Sequence, residues 1–197
     1  MEYLKVNQLS FEKEGKKIKY SYELSQGIMP FFNMDNSLYV EYDRSIDQTP
    51  YNIAIVPFLA NIMPISWFVG FDVFVEELDS IFYESLSILK KEFSKFHPKK
   101  NLKGTLHVGK LVPNKLDGNH TAQLFSGGLD SYDTFTRTFS KNPYLISILG
   151  ADVPISDTDK WEKFKRFNSE EDLVNEDRLL YVESNLRDFY TYKLDLL

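Results

Sequence analysis

Ala122-Gln123-Leu124-Phe125-Ser126-Gly127-Gly128-Leu129-Asp130-Ser131-Tyr132-Asp133-Thr134 decides how the chain is read. A short apolar run ends at Phe125 and a Ser-Gly-Gly turn follows. Asp130-Ser131 then reads as an N-cap pair opening a helix over 132–139. Strand, small-residue loop and helix N-terminus in that order build an anion site, because unpaired backbone N–H groups point into the concavity. Gly127 and Gly128 are free to take positive φ and to let a ligand approach the backbone. The hydroxyls of Ser126 and Ser131 add donors, and a phosphate or pyrophosphate is the fitting guest. The competing reading is a glycine-rich strand-to-helix turn that binds nothing. A Walker A loop is excluded, since no Gly-x-x-x-x-Gly-Lys-Ser/Thr occurs.

Downstream, the same rhythm repeats. A strand over Tyr144–Leu149 closes on Gly150-Ala151-Asp152. A helix over Asp157–Phe167 carries Trp161, Phe164 and Phe167. A second helical piece is expected over Ser169–Asn175, where Ser169 and Asp172 have capping-box spacing. A third strand over Leu179–Val182 runs into Ser184-Asn185-Leu186-Arg187, read as the start of a last helix. Strands alternating with helices imply parallel pairing through right-handed crossovers. Ligands of such sheets bind at the carboxyl ends of the strands. Those ends are Ser126-Gly127-Gly128, Gly150-Ala151-Asp152 and the segment from Glu183 to Arg187, and they are expected to meet at one crevice.

Upstream, 3–24 reads as a hairpin turning at Glu14-Gly15-Lys16, with Ile18, Tyr20, Tyr22 and Leu24 alternating against polar residues. Residues 38–42 form another short strand. From Gln48 to Phe71 there is no charge, and Ile53–Val69 is strongly apolar. Length alone allows a membrane span. Two prolines, two asparagines and acidic flanks without basic residues favour a buried core segment, so no membrane association is expected. Pro64 predicts that any helix there stops by Met63. Trp67–Glu76 reads as a strand. Asp79 and Ser80 predict the start of a helix with a stripe of Phe82, Leu86, Leu89, Phe93 and Phe96, ended by Pro98. Residues 104–112 form a further strand. The turn-rich Pro113–His120 reads as a linker between an α+β module (1–112) and a partial parallel-sheet unit (121–197).

Composition narrows the function classes. The net charge of −6 gives no global attraction to nucleic acid, which is expected only as a modification substrate. The absence of cysteine removes disulfides, thiolate zinc sites and a cysteine nucleophile, and suits a cytoplasmic setting. His97, His107 and His120 are scattered and show no metal-ligand spacing.

Ser126-Gly127-Gly128-Leu129-Asp130-Ser131 resembles the SGGxDS signature of the PP-loop ATP pyrophosphatases, loosely those akin to 7-cyano-7-deazaguanine synthase. The resemblance implies an α/β chain whose second part is a HUP-type, adenine nucleotide alpha hydrolase-like domain. It implies ATP and magnesium as cofactors, and adenylation of an unknown acceptor substrate with release of pyrophosphate. Ser126, Gly127, Gly128, Leu129, Asp130 and Ser131 would hold the phosphates, with Asp130 on magnesium. Gly150 and Asp152 would lie at the adenine, and Asn185 and Arg187 near phosphate or substrate. The similarity spans about Thr121–Arg187, and a full domain of that family has at least two more strands. The expectation is therefore a fragment ending on an uncovered third strand, its missing strands supplied by a longer chain or a partner. Three classes stand: adenylating enzyme, non-catalytic nucleotide-binding or regulatory module, and structural or membrane-associated protein with a coincidental turn.

Overall fold

The computed structural model describes residues 1–34, 37–115, 118, 120–151 and 153–196. The expected hairpin forms from β1 (Tyr3–Glu12) and β2 (Lys17–Leu24), antiparallel with one register shift between Val6 and Gln8. Ile18, Tyr20 and Leu24 face inward from β2, as their alternation predicts. β3 (Tyr39–Tyr42) extends the meander by pairing antiparallel with β2.

The uncharged run becomes two helices, α1 (Tyr51–Ala54) and α2 (Val56–Val69). Here two expectations fail. Pro64 lies inside α2 rather than beyond its end, and residues 67–69 form the last turn of that helix instead of a strand. An interior proline costs about 3 kcal/mol through its missing N–H and its ring clash. Against that, Phe58, Leu59, Ile62, Met63 and Trp67 are all at most 2% exposed. At about 1.5–3 kcal/mol for each buried large side chain, their burial outweighs the proline. The actual stop is Gly70, at φ 93°, whose N–H donates to the Ser66 carbonyl at 2.8 Å. α2 forms the centre of the main core, as the buried-segment reading expects. Among the described residues, no helix is long and apolar enough to cross a membrane.

β4 (Asp72–Asp79) pairs parallel with β1 and leads into α3 (Ser80–Phe96). Asp79 caps α3: its Oδ1 accepts the Phe82 N–H at 2.8 Å, and its Oδ2 accepts Asn114 Nδ2 at 2.9 Å. Burial works to raise the Asp79 pKa, but these bonds outweigh it and hold the carboxyl below its ordinary value. The predicted stripe is half realised. Phe82, Leu86 and Phe93 join the core, while Leu89 and Phe96 face solvent, Phe96 at 81% exposure. β5 (Leu106–Val112) then pairs parallel with β4.

The second part follows the predicted rhythm as β6 (Ala122–Leu124), α4 (Leu129–Thr138), β7 (Tyr144–Leu149), α5 (Thr158–Ser169) and β8 (Leu179–Ser184). β6, β7 and β8 are mutually parallel. Two helices expected here are absent among the described residues. Residues 170–175 are turn and irregular chain, and Asn175, not Ser169, caps a 3-10 turn at Glu176–Arg178. Residues 186–188 form a turn, and the chain finishes in a 3-10 segment, Tyr192–Leu196.

All eight strands form one sheet in the order β5-β4-β1-β2-β3-β8-β7-β6. β8 is therefore not the uncovered edge that was expected: β3 pairs with it antiparallel, Val40 opposite Ser184 and Tyr42 opposite Val182. The tail packs as well. Phe189 is fully buried in the main core and Tyr190 bridges to Phe32. The open edges are β5 and β6.

Strand direction decides where the helices lie. Both β1-β4-β5 and β6-β7-β8 advance across the sheet toward the β5 edge, but the two sets run in opposite directions. Right-handed crossovers then put α2 and α3 on one face and α4 and α5 on the other. The cores agree with this. Residues of α1–α3 cluster with β1–β4, whereas Phe125, Phe135, Leu145, Leu149, Trp161 and Leu179 build two smaller clusters on the opposite face.

A candidate phosphate-binding loop

The loop joins β6 to α4 at the carboxyl ends of three adjacent parallel strands. α4 starts at Leu129, a turn earlier than predicted, and its N-cap is Gly128, not Asp130 or Ser131. The Tyr132 N–H donates to the Gly128 carbonyl at 3.1 Å, closing the first turn. This places the Tyr132 ring edge-on to Phe125, 5.0 Å between centroids, so packing sets the helix start. Asp130 stands in the first turn with its carboxylate exposed. The Ser131 hydroxyl donates back to the Gly128 carbonyl at 2.7 Å. No side chain caps the helix, so the N–H groups of Leu129, Asp130 and Ser131 begin α4 as unpaired donors at the positive end of its dipole.

The two glycines do different jobs. Gly127 has φ 72°, and a Cβ there would sit 2.9 Å from Phe164 Cε2 and 3.9 Å from Asn168 Oδ1. Its lack of a side chain is explained by backbone conformation and by packing on α5. Gly128 has φ −84° and ψ 168°, which any residue adopts. A Cβ there would meet only the Ser126 Oγ, at an ordinary 3.5 Å. Nothing within the chain requires glycine at this position, so the missing side chain leaves an open approach to the uncapped helix.

Phe164 and Asn168, which back the loop, are site residues that the sequence reading missed. Trp161, Phe164 and Asn168 follow i, i+3, i+7 spacing, so an amide on the apolar stripe of α5 was a usable signal. Asn168 is fully buried, and neither its Oδ1 nor its Nδ2 makes a well-formed hydrogen bond. The Tyr181 hydroxyl lies near it. Burial raises that phenol above its ordinary pKa, and the Asn168 amide acts in the opposite sense.

The remaining predicted positions are distributed as follows. Gly150, at φ 94°, abuts the Ser184 carbonyl so closely that a Cβ would collide with it, which joins the ends of β7 and β8. Asp152 lies outside the described residues. Asn185 is buried and engaged at both ends of its amide: Oδ1 accepts the Tyr39 N–H at 2.9 Å, and Nδ2 donates to the Ser37 carbonyl at 2.9 Å. It fastens β3 to the end of β8. Arg187 lies on the turn after β8 with its side chain exposed. Among the described residues, no group of three or more His, Asp or Glu side chains is placed to hold a metal, so Asp130 offers a single carboxylate.

Fold and loop define a mixed α/β chain with an eight-stranded sheet and an uncapped, glycine-fronted helix N-terminus at the ends of its parallel strands. No family model, curated protein or solved structure matches the chain.

Proposed function

We propose that the chain binds ATP through the Ser126–Ser131 loop and serves an adenylating reaction that releases pyrophosphate. Gly128 carries this reading: a glycine that the fold does not need, standing in front of three unpaired helix N–H donors. In the proposed complex the N–H groups of Leu129, Asp130 and Ser131, with the Ser126 hydroxyl, hold the β- and γ-phosphate oxygens. A phosphate there also interacts favourably with the helix dipole. The residues fit magnesium only as a shared ligand set, Asp130 supplying one oxygen and the phosphates others, in keeping with the few protein ligands this ion takes. Bound magnesium-ATP supplies the electrophilic α-phosphorus. The chain's own part is positioning and charge stabilisation, with Gly150 and Ser184 shaping the floor between strand ends and Arg187 available to an anionic group.

Calorimetry with magnesium-ATP tests the proposal. The unsubstituted chain is expected to bind. Gly128→Val, which fills the approach, should abolish measurable binding while the circular dichroism spectrum stays unchanged. Asp130→Ala should weaken magnesium-dependent binding by about ten- to a hundredfold, the worth of one charge-assisted contact. A Gly128→Val variant that binds as tightly as the parent would remove the loop from consideration.

A further inference from the structure

At the other end of α4 from the loop, where β7 and β8 begin, the chain encloses a hollow of about 290 Å³. At the ~30 Å³ that each water takes in the liquid, that is room for roughly ten waters. Phe135 and Leu145 form its buried wall, at 5% and 1% exposure. Phe139 and Leu173, 52% and 58% exposed, form its accessible wall. Arg178 lines it as well, and Nη1 of that side chain is buried without a hydrogen-bond partner. Among the described residues the guanidinium meets the Tyr144 ring, 4.4 Å from Cζ to the centroid, and no carboxylate. Glu176 and Asp177 precede it on the 3-10 turn, but both are exposed and neither pairs with it. A buried lysine can shed its proton, whereas an arginine keeps its charge. A buried cation without a counter-ion is unfavourable, and stacking on a tyrosine offsets that only in part.

We propose that this hollow binds a small organic acid, an aromatic or branched aliphatic monocarboxylate, with its carboxylate on Arg178. Guanidinium and carboxylate match as planar, two-pronged partners. The body of the acid covers Phe135, Phe139, Leu145 and Leu173. An apolar lining with one charged group to fix orientation is the usual make-up of a small-molecule site. The volume limits the acid to about ten heavy atoms, one for each water displaced. The surroundings set the charge. The hollow borders the carboxyl end of α4 and the 3-10 turn Phe139–Lys141 that follows it, where the helix dipole is negative. A single guanidinium beside that end suits one negative charge, not the double charge of a phosphate monoester. The site is separate from the Ser126–Ser131 loop and does not depend on nucleotide binding there.

Calorimetry on the whole chain tests this with three probes of one shape: phenylacetate, its neutral amide phenylacetamide, and phenyl phosphate. Phenylacetate is expected to bind saturably, with Kd of about 1 mM or tighter, the scale for a ligand of roughly ten heavy atoms. Phenylacetamide and phenyl phosphate should each bind at least about tenfold more weakly, the worth of one charge-assisted contact. Arg178→Met keeps an apolar stem and removes the charge. It should lose phenylacetate binding by the same factor while the melting temperature stays level or rises, because an unpaired buried cation has gone. Leu173→Asp is the second variant. Its side chain is exposed, so the fold should tolerate the change, and a carboxylate at the accessible wall should repel the acid to a similar extent. Absence of phenylacetate binding, equal binding of the amide, tighter binding of phenyl phosphate, or an affinity indifferent to both substitutions overturns the proposal. So does an Arg178→Met chain that melts markedly lower, since the guanidinium would then be serving the fold.

Discussion

Gly150→Ala is expected to destabilise the fold by about 3 kcal/mol. The residue sits at φ 94°, and forcing an alanine into that left-handed region costs about 1–2 kcal/mol. The added methyl would also collide with the Ser184 carbonyl oxygen, and overpacking of this kind costs about 1–3 kcal/mol. Ser184 has little freedom to yield: its hydroxyl donates to the Tyr39 carbonyl at 2.9 Å, and it pairs with Val40 across the β3–β8 ladder. Urea unfolding of the variant should show a markedly lower midpoint. Gly128→Ala is the control. Its backbone is ordinary and its surroundings open, so a change within about 0.5 kcal/mol is expected. A Gly150→Ala chain as stable as the parent would mean that the ends of β7 and β8 do not approach as described.

Trp67→Ala should cost more, about 3–5 kcal/mol, the range for removing a buried large aromatic. That is a large part of the about 5–15 kcal/mol that holds a domain together. Trp67 is 2% exposed and stands edge-on to Phe93, 5.8 Å between centroids. It also walls a hollow of about 180 Å³ between α2, α3 and the start of β5. Losing the indole enlarges a space that already exists, so collapse of the neighbours recovers little. Lys90 borders the same hollow and donates to the carbonyls of Gly104 at 2.7 Å and Lys103 at 3.2 Å, which fixes the chain on its far side. Burial lowers the Lys90 pKa. The denaturation midpoint should fall with the slope unchanged, while Phe96→Ala on the exposed end of α3 stays near neutral. A Trp67→Ala cost under 1 kcal/mol would contradict the packing of α2 as the centre of the core.

What the sequence discloses and what it hides divide along physical lines. The β1–β2 hairpin, the capped start of α3 and the strand at 144–149 are written in local pattern: alternation, an aspartate at an N-cap, and a β-branched and aromatic run between turns. Each was legible because neighbours in sequence determine it. Pro64 and residues 67–69 misled because local preference is weak beside the burial of Phe58, Leu59, Ile62, Met63 and Trp67. The start of α4 moved for the same reason: packing of Tyr132 on Phe125 outweighs the capping preference of Asp130. The β3–β8 pairing was hidden altogether. It joins Val40 to Ser184, and neither strand announces a partner so distant in the chain. Asn185 shows the effect on site reading. The sequence places it at a strand end, where ligands bind, but the fold uses both ends of its amide to bind β3. Conversely, the loop motif was legible as a motif, while the separate duties of Gly127 and Gly128 emerge only once α5 lies against one of them and nothing lies against the other.

The backbone amides of the loop give the most direct measurement. Nitrogen-15 and proton shifts of Gly127, Gly128, Leu129, Asp130 and Ser131 would be followed while pyrophosphate, and then ATP, is titrated in with magnesium. Saturable shifts are expected at these amides for both ligands, with the β1–β2 hairpin unmoved. Loop amides that stay fixed at saturating ATP, or shifts confined to another part of the chain, would contradict phosphate binding at this loop.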